Sequence, residues 1–561
     1  MSYYFVDEKD ISDTEKQLLI KVMDEVKNFY EKLLTIEDRR HDIKANQVGC
    51  QLQKNVKMKK VLQEIENNQD TDMAIFVSLI SASDTMTCEK DMLASASRCS
   101  AQSTTSRPNV GKVSVCQISL STRKADFEFT VNTIKHELLH AMVFYHGSYK
   151  QFRDSHGVKY CQATADKCQT EKTIAWKTLS GMKQQKFKVL TTPRVTAFVR
   201  KHFNCPQMLG ALLENEGGRG TKNVHWEKHL FGSEIMTGTI DAWSQFTNLT
   251  ASLLIDSGWY RLQDQAYLYI DEMYYGKNGG CDFVQKSCLE FMQDVKRAKA
   301  VDSEIPWCGP DDYEPNPDRY NKNQLRCSPD KNSVVSCTIL GQEHSNFDNI
   351  AAEADKAGLR YWKDYVGSSE YTSFCPVWLS TRTIFDAGHA KFHLHSACKP
   401  ERVREPSANY ASESFGPTSS CFFHPKDDHF IRRQCSDWSV SYYGDGGAGC
   451  YQYRCHRGRL QIKPAGIGDG VLRFLTCYAK GNTLQVRREL VNKGEERVFS
   501  MGKIECPACE EYCTDPNFKC LPEIPNIISS DKFISICGGG SVVTSCLGFA
   551  VACLLIQMFI V

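Results

Sequence analysis

Net charge is nearly absent from this chain: 68 lysines and arginines face 67 aspartates and glutamates, leaving +1 over 561 residues. Without a basic surplus there is no electrostatic case for nucleic acid as a partner. No internal repeat is visible, which argues against a solenoid or a propeller. No low-complexity linker marks a disordered spacer. The opening "MSYYFVDEKD" has only a four-residue apolar run before acidic residues arrive, too short for a secretory leader.

Cysteine, by contrast, is abundant. Twenty-six are spread from Cys50 to Cys553 and are densest between Cys421 and Cys520. Cytosolic enzymes keep thiols reduced and seldom carry so many, so an exported, disulfide-rich protein is expected. A reduced intracellular protein with buried thiols is the competing expectation, and the missing leader is what favours it. Export without a leader requires another route or a start upstream of Met1. Asn248-Leu249-Thr250 is a glycosylation sequon and leans towards export. After Lys532 the chain carries no charge, and "SVVTSCLGFAVACLLIQMFIV", 541–561, is long enough to span a bilayer. Small residues at Ser529-Ser530 or Gly538-Gly539-Gly540 ahead of it fit a GPI-attachment signal; a plain membrane helix is the alternative. Either reading attaches the protein to a membrane.

A length of 561 residues predicts two or three domains. Ser12 and Glu15 form a capping box that opens a helix running to about Ile36. Leu19, Val22, Met23, Val26, Phe29, Tyr30 and Leu33 share one face of it. "AIFVSLI", 74–80, has the β-branched character and length of a strand, and "VSVCQIS", 113–119, reads as a second strand after a turn in "RPNVGK". Phe127, Val131, Ile134, Leu138, Ala141 and Tyr145 then step by three and four, as a helix with one buried stripe does. From about residue 276 cysteines, glycines and aromatics alternate with short strands. The order of elements is α+β, ending in a loop-rich, disulfide-stapled region.

The chemistry sits in "NTIKHELLHAMVFYHGSY", 132–149. On a helix His136 and His140 lie one turn apart on one face and can share a Zn²⁺. Glu137 is rotated from that face but within reach of a water on the metal. Zinc brings the pKa of such a water towards neutrality, and a carboxylate can take its proton and pass it to a leaving amine. That is peptide hydrolysis.

A catalytic zinc needs a third protein ligand. Spacing nominates His146, where many zinc proteases carry theirs, but those proteases have glycine at the position of Val143. Valine resists the left-handed turn that glycine permits. The helix is therefore expected to continue to Gly147, leaving His146 facing away from the metal. His225, in "ENEGGRGTKNVHWEKHLFGSEIMTG", is the better candidate, with a glycine-rich approach and Met236 downstream; His229 competes with it.

These pieces carry a family resemblance. The chain resembles leishmanolysin, the surface zinc endopeptidase of trypanosomatids, and more closely its animal relatives, the invadolysins. The resemblance rests on "HELLHAM", "GGRGT..VHWEKHLFGSEIMTG", "IDSGWY", "GGCDFV", "CYQYRC" and "CPACEEYC", in that order along most of the chain. It implies His225 as third ligand and Met236 as the methionine turn beneath the zinc. It also implies a zincin-type catalytic part (1–150), a central domain with the third histidine (151–278), a cysteine-rich, mainly β domain (279–525) and the tail (526–561). One zinc per chain and polypeptide substrates at the cell surface or in the extracellular matrix are implied with it. Val143 departs from the family pattern, which keeps open a catalytically weak adhesion protein of the same fold. Cys50 could cap the zinc in an inhibitory segment, although a disulfide is expected for it. Cys506, Cys509, Cys513 and Cys520 have spacing fit for a structural zinc, with disulfides as the simpler expectation.

Overall fold

A computed structural model describes residues 1–530 with breaks of one to eight residues, the longest at 401–408 and 466–473. The apolar tail 541–561, and the choice between its two readings, lies outside the described residues. Among those described, no helix is long and apolar enough to cross a membrane. The chain divides into two compact units. One is Met1–Arg402 with Ser419–Cys421; the other is Val403–Thr418 with the residues from Phe422 on.

The first unit begins with β1 (Ser2–Phe5) and α1 (Asp13–Leu33), followed by β2 (Leu34–Ile36), α2 (Val56–Asn67), β3 (Ala74–Ile80), β4 (Ala94–Ala101), β5 (Pro108–Cys116) and α3 (Phe127–Met142). The capping box forms as expected: Glu15 N–H donates to the Ser12 hydroxyl, and Ser12 N–H donates to the Glu15 carboxylate. All seven residues of the expected α1 face are buried. The helix ends three residues early, because Leu34–Ile36 pairs antiparallel with β9 (Tyr260–Leu262), far along the chain.

The sheet runs β1-β3-β5-β4, parallel except for β4 against β5. Both faces of β3 are covered, so its alternating residues enter two cores. Ile75 and Val77 pack with α1 and α3, whereas Ala74 and Phe76 pack with Met58, Leu62 and Ile65 of α2. The strand expected over 113–119 instead starts at Pro108 and runs through the presumed turn. Its proline opens the strand, where a missing N–H is tolerated. Gly111 serves close packing rather than turning. A Cβ there would lie 3.0 Å from the Ala141 Cβ and 3.1 Å from the Ile75 Cδ1, so glycine lets α3 settle tightly on the sheet.

The hairpin of β6 (Gln169–Thr178) and β7 (Gly181–Leu190) extends through β8 (Ala211–Leu212), and α4 (Pro193–His202), α5 (Lys228–Phe231) and α6 (Asn248–Asp256) follow in chain order. Disulfides Cys205–Cys281 and Cys288–Cys375 close loops of 76 and 87 residues, each worth about 4.5 kcal/mol in the chain-entropy account.

The second unit is built on antiparallel strands, among them Ala448–His456 with Arg459–Lys463 and Thr483–Lys493 with Glu496–Glu505. Phe422, Tyr451, Leu460, Ile462, Val486 and Ile504 form its core. Cys455–Cys513, Cys477–Cys506 and Cys509–Cys520 staple it. The fold is thus mixed helix and sheet, with disulfides from Cys50–Cys99 onward. That favours the exported expectation over the reduced one.

Candidate metal centre

Helix α3 carries His136, Glu137 and His140. Val131, Ile134, Leu138 and Ala141 bury its inner stripe, and the Tyr30 hydroxyl of α1 donates to the Lys135 carbonyl. The expected continuation to Gly147 does not occur. The helix ends at Met142, with both Val143 N–H and Phe144 N–H bonded to the Leu139 carbonyl. Val143 keeps a negative φ; the left-handed residue is Gly147, at φ 82°. What ends the helix is burial of Phe144, whose ring packs edge-on against Trp226 at 4.7 Å. Leaving the helix also turns the Phe144 carbonyl onto His140, which donates to it from Nδ1 at 2.7 Å.

His225 arrives on an irregular segment. Trp226 N–H donates to the Met236 carbonyl, and Glu214 N–H to the His225 carbonyl. The turn at Met236 is held from below by Glu234. That carboxylate accepts from Met236 N–H at 2.7 Å and from the Thr247 and Thr250 hydroxyls, while Trp226 Nε1–H donates to Thr250. Ile235, in the same turn, offers its carbonyl to His136 Nδ1 at 2.6 Å. His225 Nδ1 meets the Thr221 carbonyl at 2.9 Å.

Each histidine thus uses Nδ1–H as a donor to a carbonyl, which leaves Nε2 as a bare lone pair. The three Nε2 atoms lie 3.1 Å from one another. No proton is available among them to satisfy three facing acceptors, and a cation would. A tetrahedral zinc with bonds of about 2.0–2.1 Å spaces its nitrogens about 3.3–3.4 Å apart, so the donor set fits that ion. Burial keeps the rings neutral, as metal ligation requires. It pushes His136 down to about 3, with His140 adding to the effect, and His140 down to about 4; His225 is lowered strongly by burial and its two neighbours. Burial raises the Glu137 carboxyl to about 8.

The remaining candidates lie elsewhere. His146 is exposed, outside the cluster of His136, His140 and His225. His229 is buried between the rings of Trp176 and Trp307, with Nδ1 on the Thr372 carbonyl. Cys50 is paired with Cys99 and offers no free thiol. Cys506, Cys509, Cys513 and Cys520 are all in disulfides. Sequence reasoning missed the three carbonyls that set the tautomers, since a carbonyl leaves no mark in a sequence. It also passed over Glu234, although a lone acid beside an apolar turn was a signal that could have found it.

The Peptidase_M8 (leishmanolysin) family model matches residues 2–520. The leishmanolysin-like peptidase of Drosophila melanogaster is 31% identical over 472 residues, covering 78% of this chain and 63% of the fly protein. That of Caenorhabditis elegans is 30% identical over 505 residues, covering 84% of this chain and 71% of the worm protein. The ciliated left-right organizer metallopeptidase of Mus musculus is 31% identical over 224 residues, 38% of this chain and 29% of the mouse protein. The chain therefore spans just under two thirds of the fly relative's length. With the family model matching nearly end to end, the chain belongs to the leishmanolysin family of metallopeptidases.

Proposed function

We propose that the chain is a zinc endopeptidase in which His136, His140 and His225 hold one zinc and Glu137 is general base and then general acid. The observation that carries this reading is the convergence of three unprotonated Nε2 atoms at 3.1 Å, each fixed by a carbonyl on the opposite ring nitrogen. Zinc, when bound, supplies Lewis-acid polarisation of a peptide carbonyl and a water acidified towards neutrality. Glu137 supplies the proton transfer. Its burial favours the neutral carboxyl, and a divalent cation nearby favours the carboxylate. The two influences oppose each other, which suits a group that must accept a proton and return it to the leaving amine near neutral pH. Met236 would form the floor of the site, its carbonyl steadying Trp226 beside His225.

The zincin-type architecture, with a cysteine-rich β domain after the catalytic part, is part of the same reading. So are polypeptide substrates, surface or extracellular-matrix proteins among them, and attachment through the C-terminal tail. The adhesion-protein alternative rested on Val143 misrouting the chain. Helix α3 ends at Met142 with no left-handed valine, which supports the peptidase reading over that alternative.

Metal analysis with a generic peptide substrate tests the proposal. About one zinc per chain and peptide cleavage are expected, with Glu137→Gln retaining zinc and losing about 10²–10⁴-fold in kcat. Full activity in Glu137→Gln would refute the assignment.

A further inference from the structure

We infer that Tyr371 is a positioning residue for the third metal ligand, wedged between the glycine loop that leads to His225 and the turn that follows Met236. The inference rests on the metal reading above. Two glycines on separate stretches make room for one ring. A Cβ on Gly217 would meet Tyr371 Cε1 and its hydroxyl oxygen at 3.0 Å, and a Cβ on Gly238 would meet Cδ1 at 3.2 Å. Thr221 fills the remaining gap: a Cβ on Gly238 would meet its methyl at 2.8 Å, and one on Gly217 would meet its Cβ at 3.0 Å. The Tyr371 hydroxyl pairs with the Thr221 side chain. Thr221 in turn gives its carbonyl to His225 Nδ1.

The wedge has a firm base. Tyr371 lies in the short helix Glu370–Thr372, and the Thr372 hydroxyl donates to the Ser369 and Cys375 carbonyls. Cys375 is tied to Cys288 by a disulfide, and the Thr372 carbonyl meets the buried His229. A loop rich in glycine has much conformational freedom to lose. Pressing Thr221 from a disulfide-anchored segment fixes the one carbonyl that orients the His225 ring, and partners of that kind commonly matter about 10–100-fold to metal affinity.

The test loads wild-type protein, Tyr371→Phe and Tyr371→Ala with zinc and follows zinc release to a colorimetric chelator. Melting of the metal-free forms and kcat and KM on a generic peptide are read alongside. Tyr371→Ala should release zinc about 10–100-fold faster and lose kcat more than KM. Tyr371→Phe should return release close to wild type, and the metal-free melting points should agree. Should Tyr371→Ala fail to fold, Gly238→Ala reaches the wedge from its other side and should also speed release. Zinc-loaded wild type with unchanged release in whichever variant folds overturns this inference alone. Wild type that takes up no zinc overturns the metal reading and the wedge together. A kcat loss in Tyr371→Phe with wild-type release would place Tyr371 on the substrate and overturn its positioning role.

A separate observation carries a second proposal. We propose that Asn248 is N-glycosylated, and that the glycan is added before this segment folds. Asn248 is exposed at the first turn of α6, whereas Thr250 of the same sequon is fully buried, with its hydroxyl shared between Glu234 and Trp226 Nε1–H. The folded sequon therefore cannot present its hydroxyl to a transferase, but the finished fold leaves room for a sugar on Asn248. The full chain is expressed behind a host secretory leader in a eukaryotic cell and treated with an N-glycosidase. A single-glycan mass shift is expected in wild type and in Thr250→Ser, and none in Asn248→Gln, which should keep wild-type peptidase activity. Secreted wild type with no shift overturns the proposal. A shift acquired by folded protein in vitro would overturn the order of events.

Discussion

Two stretches supply the three histidines, and they are held by different physics. Helix α3 delivers His136 and His140 through local periodicity, with its apolar stripe docked on the sheet and Gly111 allowing the close approach. The stretch from Glu214 to Gly238 has little regular structure, yet it delivers His225 and the carbonyl that orients His136. Its shape is kept by buried polar groups: Lys228 on Asp241 and on the Gly232 and Thr239 carbonyls, and Glu234 on Met236, Thr247 and Thr250. An apolar stripe degrades gradually when trimmed. A buried polar network does not, because each lost partner strands another group away from water.

The largest effect expected from that difference is at the Lys228–Asp241 pair, 3.0 Å apart with both side chains almost wholly buried. Asp241→Ala leaves an ammonium without its counter-charge and should cost about 3–5 kcal/mol in chemical denaturation. A loss below 1 kcal/mol would mean the segment is not held as described. Next is Thr250→Val, which keeps the shape but strands Trp226 Nε1–H and takes the closer of two hydroxyl donors from Glu234 Oε1, leaving Thr247. About 1–3 kcal/mol is expected, and Thr250→Ser should recover most of it.

The smallest effect is a pH dependence. Burial lowers His229 to about 4, below the ordinary value of 6.5, so the folded state binds fewer protons than the unfolded chain between those values. Stability from this group is therefore complete above pH 6.5 and is lost as pH falls towards 4. Metal-free His229→Gln should show a shallower decline in melting temperature from pH 6.5 to 4 than wild type. An identical decline would remove His229 from the acid response.

Legibility in the sequence follows the same divide. The α1 face, β3 and the α3 stripe from Val131 to Ala141 are set by neighbours three, four or two residues away and appear where the pattern puts them; Tyr145, expected on that stripe, lies beyond the helix end at Met142. The pattern failed where a distant partner decides. Leu34–Ile36 leaves α1 for a strand some 226 residues later, as the Thr35 to Arg261 pairing shows. Gly111 reads as a turn until Ala141 is seen above it. Val143 reads as continuing helix until Phe144 finds Trp226. His225 was reachable through the motif around it, but not its tautomer, which depends on the Thr221 carbonyl.

The central claim is that a histidine 85 residues beyond His140, rather than the one six residues on, completes the metal site. Zinc content after exhaustive dialysis, measured by elemental analysis on wild type, His225→Ala and His146→Ala, tests it directly. About one zinc per chain is expected in wild type and His146→Ala, and near-complete loss in His225→Ala, since a three-ligand site depends on each ligand. Zinc retained in His225→Ala and lost in His146→Ala would contradict it.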